Sequence, residues 1–450
     1  MSWFCTASTE YLNTMQIKPK IAAGALAWLI VALPCGVLAQ NSSINAFSPY
    51  TMYGIGDLSV PGTAANRGIG GAGVALSSSV MLNPLNPASA SNMRQQTVLF
   101  NVGVEAQSFY EKSRTQKTSY YTGNIQNVSL QLPLARKIGF IFNLSPLSSV
   151  GYRIAENDLR PEILANIGQV KYKYSGEGGI SQFSAGVGME IFKNFSLGAE
   201  LIYYLGSIQR YYDVDITPVT GLGTYSDVSA SAREEISRFS GSFGFQYRII
   251  SDLKRVLSIG GTYRPATKLN PDVRRFVQSG NIFGDTVFLH NYNSELRLPH
   301  MLTVGVFYAN MKLSTAIDYT YQSWSKGNMN DQENGVNFTD SHSFKAGLQF
   351  VPNMLDARRA LKRWSYRIGY RYNTYYLTFK DRTIRDNAIT LGLGIPLKLS
   401  GGTALNVALD LGIRGSTGHD LIQEKYLKLS IGFNFFASPD EGWFRKRKFK

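Results

Sequence analysis

Alternation of apolar and polar residues with a period of two is the feature that most constrains this chain. At 389–397, 405–413 and 427–435 every second residue is apolar, and most of the residues between are small, polar or charged. A period of two places the apolar set on one face of an extended strand and the polar set on the other. The same pattern recurs at 183–191, 313–321, 344–350 and 366–372. These segments are therefore predicted to be β-strands.

The length of the runs and the charges within them distinguish a membrane barrel from a soluble sandwich. Sandwich strands usually span about 5–6 residues, whereas about 9–11 are needed to cross a bilayer at a tilt, and 405–413 and 427–435 are of the second kind. Charges in a dry core are costly, but a wet lumen tolerates them. Charged residues on the polar faces are Glu190, Glu200, Asp318, Lys345, Arg367, Arg371 and Asp410. We predict an all-β, transmembrane antiparallel β-barrel with a polar lumen and a lipid-facing outside.

Composition excludes other classes of protein. Only 17% of the 450 residues are charged and 12% are aromatic, which argues against intrinsic disorder. A helical membrane bundle needs repeated apolar runs of about 20 residues, and the only such stretch lies at the N-terminus. A large soluble sandwich or propeller remains the alternative, although no fixed repeat of about 40 residues supports a propeller.

Connections between the runs provide an independent strand count. Short turns and longer polar loops alternate, as in outer-membrane barrels, and they connect about 14 strands, with 12 or 16 also compatible. This arrangement places both termini in the periplasm. Turns are predicted at 136–137, 193–194, 251–255, 310–311, 351–364 and 400–401, and loops at 110–123, 155–179, 215–234, 271–299, 324–341, 381–386 and 415–424.

The N-terminus carries an export signal. Lys18 and Lys20 precede the apolar stretch 21–33, and small residues lead up to Ala39. This order is typical of a secretory signal peptide, which we assign to residues 1–39, with Met1 or Met15 as the start. Both cysteines fall inside it, so the exported chain would have no disulfide. Pro34 disfavours a lipoprotein signal at Cys35.

Residues 40–96 differ in composition from the predicted barrel at 97–436. They are rich in glycine, proline and small residues, which permit tight turns and close packing, and they are predicted to form a plug inside the lumen. Gly68, Gly70 and Gly73 match a dinucleotide-binding fingerprint, but the strand, helix and acidic residue that this fingerprint needs are missing from the pattern around them. We therefore predict packing glycines and no cofactor.

Several short motifs resemble the long-chain fatty acid transporter family, whose members are FadL-like outer-membrane barrels. In the N-terminal segment they are 49–57, 67–75 and 86–88, and they are accompanied by Leu298-Pro299, 319–324 and the end of the chain. The resemblance implies a fourteen-strand barrel, plugged by an N-terminal hatch, that passes hydrophobic molecules towards a lateral opening. It also implies that hatch residues block or line the path. The residues that we assign to this role are Phe47, Tyr53, Asn86, Pro87 and Ala88.

Pro146 is the candidate for the lateral opening. It lies within the third predicted strand, 138–154, and proline donates no ladder hydrogen bond, so it marks an edge, bulge or break in a sheet. A kinked third strand is what the resemblance implies for a side exit. Alternatively, Pro146 lies near the outer rim, where the strand is already ending.

Catalytic and metal sites are not predicted. His290 and His419 fall in predicted loops, His300 at a strand start and His342 beside Ser343. A set of Asp340, His342 and Ser343 has poor geometry, because adjacent residues on a strand point to opposite faces. Aromatic residues near strand ends are predicted to form membrane-interface girdles. They are Tyr203, Tyr204, Tyr211, Tyr212, Tyr319, Tyr321, Trp324, Tyr375 and Tyr376.

Two functions are compatible with these sequence features. The first is an outer-membrane channel for passive uptake of hydrophobic, fatty-acid-like compounds, with membrane lipid and hydrophobic small molecules as partners. The second is a non-catalytic accessory subunit of an outer-membrane protein secretion or assembly machine, which would bind other envelope proteins. The basic tail at 437–450 and the loop at 271–299 would then be docking elements. The net charge of +15 could indicate nucleic-acid binding, but export argues against such a partner.

Overall fold

The computed structural model describes residues 48–114, 117–219, 227–252, 254–279, 286–293, 296–327, 335–356, 358–379, 381–397, 402–418 and 421–437. The predicted signal peptide at 1–39, Phe47, His419 and all but the first residue of the predicted tail lie outside these ranges. Within these ranges, none of the helices has the length and apolar composition of a membrane span.

Fourteen antiparallel strands form a closed barrel, as predicted. The strands in chain order are β1 (Asp57–Leu58), β2 (Val98–Lys112), β3 (Lys117–Ala135), β4 (Ile138–Asn157), β5 (Gly168–Phe192), β6 (Phe195–Pro218), β7 (Val228–Ser251), β8 (Arg255–Arg264), β9 (Thr267–Lys268), β10 (Asp272–Ser279), β11 (Thr286–Asn293), β12 (Arg297–Leu298), β13 (Met301–Asn310), β14 (Leu313–Gln322), β15 (Val336–Phe338), β16 (Ser341–Phe350), β17 (Ser365–Phe379), β18 (Arg382–Pro396), β19 (Ala404–Arg414) and β20 (Gln423–Ala437). The wall consists of β2–β8, β13, β14 and β16–β20, and the pairing of β2 with β20 closes it.

The remaining elements are short. β10 and β11 form a hairpin added to the edge of β7, β15 pairs with the end of β17, and β9 pairs with β12. The α-helices are α1 (Ala64–Arg67), α2 (Pro161–Asn166) and α3 (Ala360–Arg363), and the 3-10 helices are Pro49–Met52, Pro87–Asn92 and Trp324–Gly327.

The wall has the two faces that the alternation predicts. Ile389, Leu391 and Leu411 point outward and are exposed, whereas their neighbours Thr390 and Asp410 are buried inside. An apolar outer belt around a polar interior is the arrangement of outer-membrane barrels.

Several predicted loops are strand instead. β5 has 25 residues and β13 has 10, so the wall is much taller at β4–β7, and most of the predicted loops at 110–123, 155–179 and 215–234 lie within strands. Beyond the bilayer the strands pair with each other and need no apolar face, as where Lys173 lies opposite Asp213. The apolar alternation therefore ends before these strands do.

The other predicted loops also contain strand residues. The segment 271–299 holds the β10–β11 hairpin, and β18 already begins at Arg382 within the predicted loop 381–386. The turn predicted at 400–401 lies outside the described residues. We call the end of the barrel with the β3–β4, β5–β6, β7–β8, β13–β14, β16–β17 and β18–β19 connections the turn end, and the opposite end the loop end.

The plug, residues 48–96, lies inside the barrel. Thr63 and Asn66 cap α1 reciprocally: the Thr63 amide donates to Asn66 Oδ1 over 3.1 Å, and the Asn66 amide donates to Thr63 Oγ1 over 3.5 Å. Such a capping box fixes a very short helix by satisfying its free amides. The glycines of 68–73 then turn the chain against the wall, where an added Cβ at Gly70 would meet the Tyr370 carbonyl oxygen at 2.7 Å.

Candidate functional site

The predicted plug residues lie in different surroundings. Tyr53 packs edge-on against Phe379 with ring centroids 5.7 Å apart. Asn86, Pro87 and Ala88 are buried against the wall on the opposite side. The structure therefore does not gather these residues around one path.

Asn86 joins the plug to two wall strands. Its Nδ2 donates to the carbonyl oxygens of Val74 (2.9 Å), Phe245 (3.0 Å) and Gly261 (3.4 Å). Its Oδ1 accepts from the Ala88 amide at 3.0 Å. The side chain is fully buried, so its hydrogen bonds are formed away from competing water.

A row of three wall glycines accommodates this segment. Gly188, Gly198 and Gly244 lie opposite one another on β5, β6 and β7. A Cβ added to Gly198 would lie 2.4 Å from the Ala88 nitrogen, and one added to Gly188 would lie 2.4 Å from the Pro87 oxygen. Only glycine allows the plug backbone to approach the wall so closely.

Charged groups tie the plug to the other side of the barrel. Asp57 forms a bidentate ion pair with Arg414 at 2.9 and 3.0 Å. Arg67 pairs with Glu105 at 2.6 Å. Asp318 Oδ2 accepts from the amides of Gly73 (2.7 Å) and Val74 (2.9 Å). Buried pairs of this kind are costly to break, because a lone buried charge remains.

The charge state of Asp57 follows from its surroundings. Burial acts to raise the pKa of Asp57, but Arg414 and Lys428 outweigh burial and hold that pKa below its usual value of 3.8. Asp57 is therefore ionised at neutral pH, and its pair with Arg414 is intact.

A central cavity of about 220 Å³ lies between the plug and the wall. Plug residues Asp57, Leu58 and Leu85 contribute to it, together with Pro146 and Leu147 of β4. Charged wall residues that line it are Glu200, Arg264, Asp318, Lys345, Arg371, Asp386, Arg414 and Lys428. Charged groups thus line much of the wall side of the cavity, and Leu58, Pro146 and Leu147 form an apolar side where the plug meets β4.

The wall ladder is interrupted beside this apolar side. β3 and β4 pair only from Ala135↔Ile138 to Val128↔Leu144. Beyond this last pair both strands continue towards the loop end without pairing with each other. Past that point the plug pairs with the free edge of β4: Asp57 lies opposite Ser149, and Leu58 opposite Ser148. The β4–β5 register shifts between Pro146 and Ser148. Pro146 therefore lies inside the strand at a bulge and directly after the last β3–β4 pair, rather than at the rim.

Aromatic residues close the loop-end side of the lumen. Trp324 stacks on Tyr376 with centroids 4.5 Å apart, and both belong to a buried apolar cluster that also contains Tyr50 and Ile55 of the plug. The predicted assignment of Tyr204, Trp324, Tyr375 and Tyr376 to a membrane girdle is wrong, since all four are buried inside. They face inward because the plug offers them an apolar surface.

The residues considered for catalysis are engaged separately. His342 Nδ1 lies 2.8 Å from the Tyr319 hydroxyl, and Asp340 accepts from Tyr321 at 2.6 Å. Ser343 donates to Asn373. His300 contacts Tyr263 at 2.9 Å, and the side chain of His290 is not among those described. Within the described ranges, no group of three His, Cys, Asp or Glu residues could hold a metal.

Sequence reasoning missed the wall residues that hold the plug. Glu105, Arg414 and Glu424 form ion pairs or hydrogen bonds with plug side chains, and Ser48 donates to Glu424. Their position on the inward face of a strand could have indicated this role, because a charged side chain buried there needs a partner within the lumen.

Comparison with solved structures supports the fold. The toluene transporter TbuX of Ralstonia pickettii matches with a TM-score of 0.54 and 15% identity, covering 86% of this chain and 99% of that chain. The Pseudomonas putida toluene transporter TodX matches with 0.53 and 15%, covering 85% and 99%. A Pseudomonas aeruginosa FadL homologue matches with 0.53 and 11%, covering 84% and 98%. The chain thus has a FadL-like barrel fold.

Among curated proteins no match is found. A sequence model of one family, described as BamG, matches residues 22–450 and so covers nearly the whole chain. A match of that extent assigns the family, whereas the likeness to the transporters is one of fold. This FadL-like barrel is a member of the BamG family.

Proposed function

We propose that this chain is a passive channel of the outer membrane, in which small compounds move between the barrel interior and the bilayer at the break between β3 and β4. The observation that carries the proposal is that the central cavity reaches Pro146 and Leu147 where the β3–β4 ladder has ended. The channel needs no catalytic group, metal or cofactor. In this proposal the turn end, where β20 finishes, faces the periplasm. The start of the described plug lies towards the loop end, where the Tyr50 hydroxyl donates to the Ile422 oxygen.

The plug closes this path in the present conformation. The Ser48 amide donates to the Gly151 oxygen at 2.8 Å, and the Ser59 amide donates to the Leu147 oxygen at 2.9 Å, on either side of the β1–β4 pairing. A two-stranded contact this short is held by few hydrogen bonds, each contributing about 0.5–1.5 kcal/mol. Release of this contact would open the apolar side of the cavity towards lipid.

Chemistry of the cavity limits the compounds that could pass. Leaving water for an apolar environment contributes about 25 cal/mol per Å² of apolar surface, and Leu58, Pro146 and Leu147 provide such an environment. The opposite side carries Lys345 and Arg264, next to which a plain hydrocarbon gains nothing. We therefore expect hydrophobic compounds with one polar group, as fatty acids have.

A reversible cross-link tests the path. Leu58 and Ser148 are register partners, so a Leu58→Cys/Ser148→Cys disulfide would fix the plug to β4. Oxidised cells should lose uptake of a labelled hydrophobic compound, and a reductant should restore it. Pro146→Ala should also change uptake. Pro133→Ala serves as the matched control, because Pro133 also lies at a register shift but at the turn end of the β3–β4 ladder, away from the break. Unchanged uptake in both the cross-linked and the Pro146→Ala proteins would remove this mechanism.

An accessory role in a protein secretion or assembly machine is the second candidate. The many contacts between the plug and the wall favour this accessory role, because a plug that is fixed in place blocks passage through the lumen. Ion pairs, the hydrogen bonds of Asn86 and the glycine row hold the plug on several sides of the lumen. The likeness to the transporters does not decide against it, because at 11–15% identity that likeness is one of fold alone. Extraction in a mild detergent separates the two roles. A stable complex with other proteins supports the accessory role, and a lone barrel with bound lipid supports the channel.

A further inference from the structure

A second cavity of about 500 Å³ lies between the plug and the wall at the turn end. It shares no lining residue with the central cavity. Much of its lining is apolar, and the principal apolar side chains are those of Ile69, Leu76, Met81, Phe307, Ala316 and Val351. We call it the turn-end cavity.

A buried arginine without a counter-charge lines this cavity. Arg367 is only 8% exposed. Its Nε donates to Gln349 Oε1 at 2.7 Å and its Nη1 to Asn406 Oδ1 at 2.8 Å, and both of these residues also line the cavity. Over the described residues it has no carboxylate partner and Nη2 has no acceptor. A buried guanidinium is stabilised by neutral amides far less than by an anion.

Glycines hold the guanidinium in place. A Cβ added to Gly392 would lie 3.1 Å from the Arg367 Cβ, and one added to Gly394 would lie 2.9 Å from its Nη2. The side chain therefore occupies a space that larger residues at these two positions would take away. The position of the guanidinium therefore depends on glycine at both of these wall positions.

The rest of the lining supplies a second cation and no anion. Arg363 also borders the turn-end cavity, and its buried Nε has no hydrogen-bond partner within the described chain. No aspartate or glutamate is present among the lining residues. The cavity is therefore apolar with a positive charge of two arginines, which is the complement of an anionic amphiphile.

We propose that the turn-end cavity binds a small amphiphile whose carboxylate or phosphate group pairs with Arg367 and whose apolar part fills the space beside Leu76 and Phe307. The guanidinium presents planar donors that suit either anion. The site does not depend on whether the barrel transports anything, because the central cavity and the β3–β4 break are separate from it. A free acyl carboxylate and a phospholipid are the two sources of such a ligand.

Calorimetric titration of the purified barrel in a neutral detergent tests the proposal. The probes are octanoate, dioctanoyl phosphatidate and the neutral octanamide. At least one anion should bind about tenfold or more tightly than octanamide, as a charge-assisted hydrogen bond requires. The anion that binds more tightly identifies the source. Equal affinity for all three probes, or no binding of either anion, would overturn the proposal.

Three variants locate the binding. Arg367→Gln should abolish the preference for the anion while octanamide binding stays unchanged, and Ala316→Phe should weaken all probes by filling the cavity. Arg136→Gln, on an exposed turn at the same end, is the matched control and should bind as the unmodified protein does. The heat-modified mobility of the barrel on a gel shows that each variant is folded. Retention of the anion preference in folded Arg367→Gln would refute the assignment.

Discussion

Replacement of Gly198 by alanine should loosen the plug. The new Cβ would lie 2.4 Å from the Ala88 nitrogen and 2.5 Å from the Pro87 carbonyl carbon, both of which are backbone atoms. Ordinary contact needs about 3.4 Å, so the plug backbone must move by about 1 Å. Overpacking of this kind costs about 1–3 kcal/mol. We expect a loss of unfolding free energy in that range, measured by urea unfolding in detergent.

Gly241 is the matched control for this change. It lies on the neighbouring strand β7, and a Cβ there would meet only the Glu200 carbonyl oxygen at 3.5 Å, an ordinary contact. Gly241→Ala should change the unfolding free energy by less than about 0.5 kcal/mol. Equal unfolding free energies of the two variants would refute the close contact between the plug backbone and the glycine row.

Three further predictions concern the polar and aromatic contacts between the plug and the wall. Asp57→Asn should destabilise the barrel by about 1–3 kcal/mol in urea unfolding, because among the described residues Glu424 is then the one ion-pair partner left to the buried Arg414. Since the folded pKa of Asp57 lies below 3.8, its pair stabilises the fold above that pH and is lost as the pH falls through the lowered pKa. The melting temperature should therefore show no pH dependence due to this pair between pH 8 and 5. Asn86→Leu should cost about 1–3 kcal/mol, because it removes the acceptor of the buried Ala88 amide and a donor to the Phe245 oxygen. Faster trypsin cleavage at exposed Arg94 is the readout. Trp324→Ala should cost about 3–5 kcal/mol and remove blue-shifted tryptophan emission.

Strand positions within the bilayer could be predicted from the sequence because lipid and lumen impose opposite polarity on alternate residues. Leu391 beside Thr390 illustrates this, with one exposed outside and the other buried inside. The constraint ends where the bilayer ends. The extensions of β5, β6 and β7 have polar residues on their outer faces, so their sequence pattern does not differ from that of a loop.

The contacts of the plug could be predicted only in part. Its glycine and proline content indicates a compact segment, but Asp57 and Arg414 are 357 positions apart, and no local pattern specifies which inward charge meets which plug residue. The aromatic residues show the same difficulty. Tyr319 is exposed on the outside of the barrel, whereas Trp324, five positions later, is buried against the plug. Their different surroundings follow from the path of the chain after β14, which the local sequence does not specify.

The position of the plug inside a closed barrel can be measured most directly by an engineered disulfide. Ser91 Oγ of the plug donates to Ser196 Oγ of β6 at 2.7 Å, so Ser91→Cys/Ser196→Cys should form a cross-link in native membranes under mild oxidation. Ser91→Cys/Ser240→Cys, which pairs the same plug residue with a position on β7 that it does not contact, should not. Formation of the first disulfide and not the second would agree with the account. Two freely reactive thiols in the first variant, or equal cross-linking of both, would contradict it.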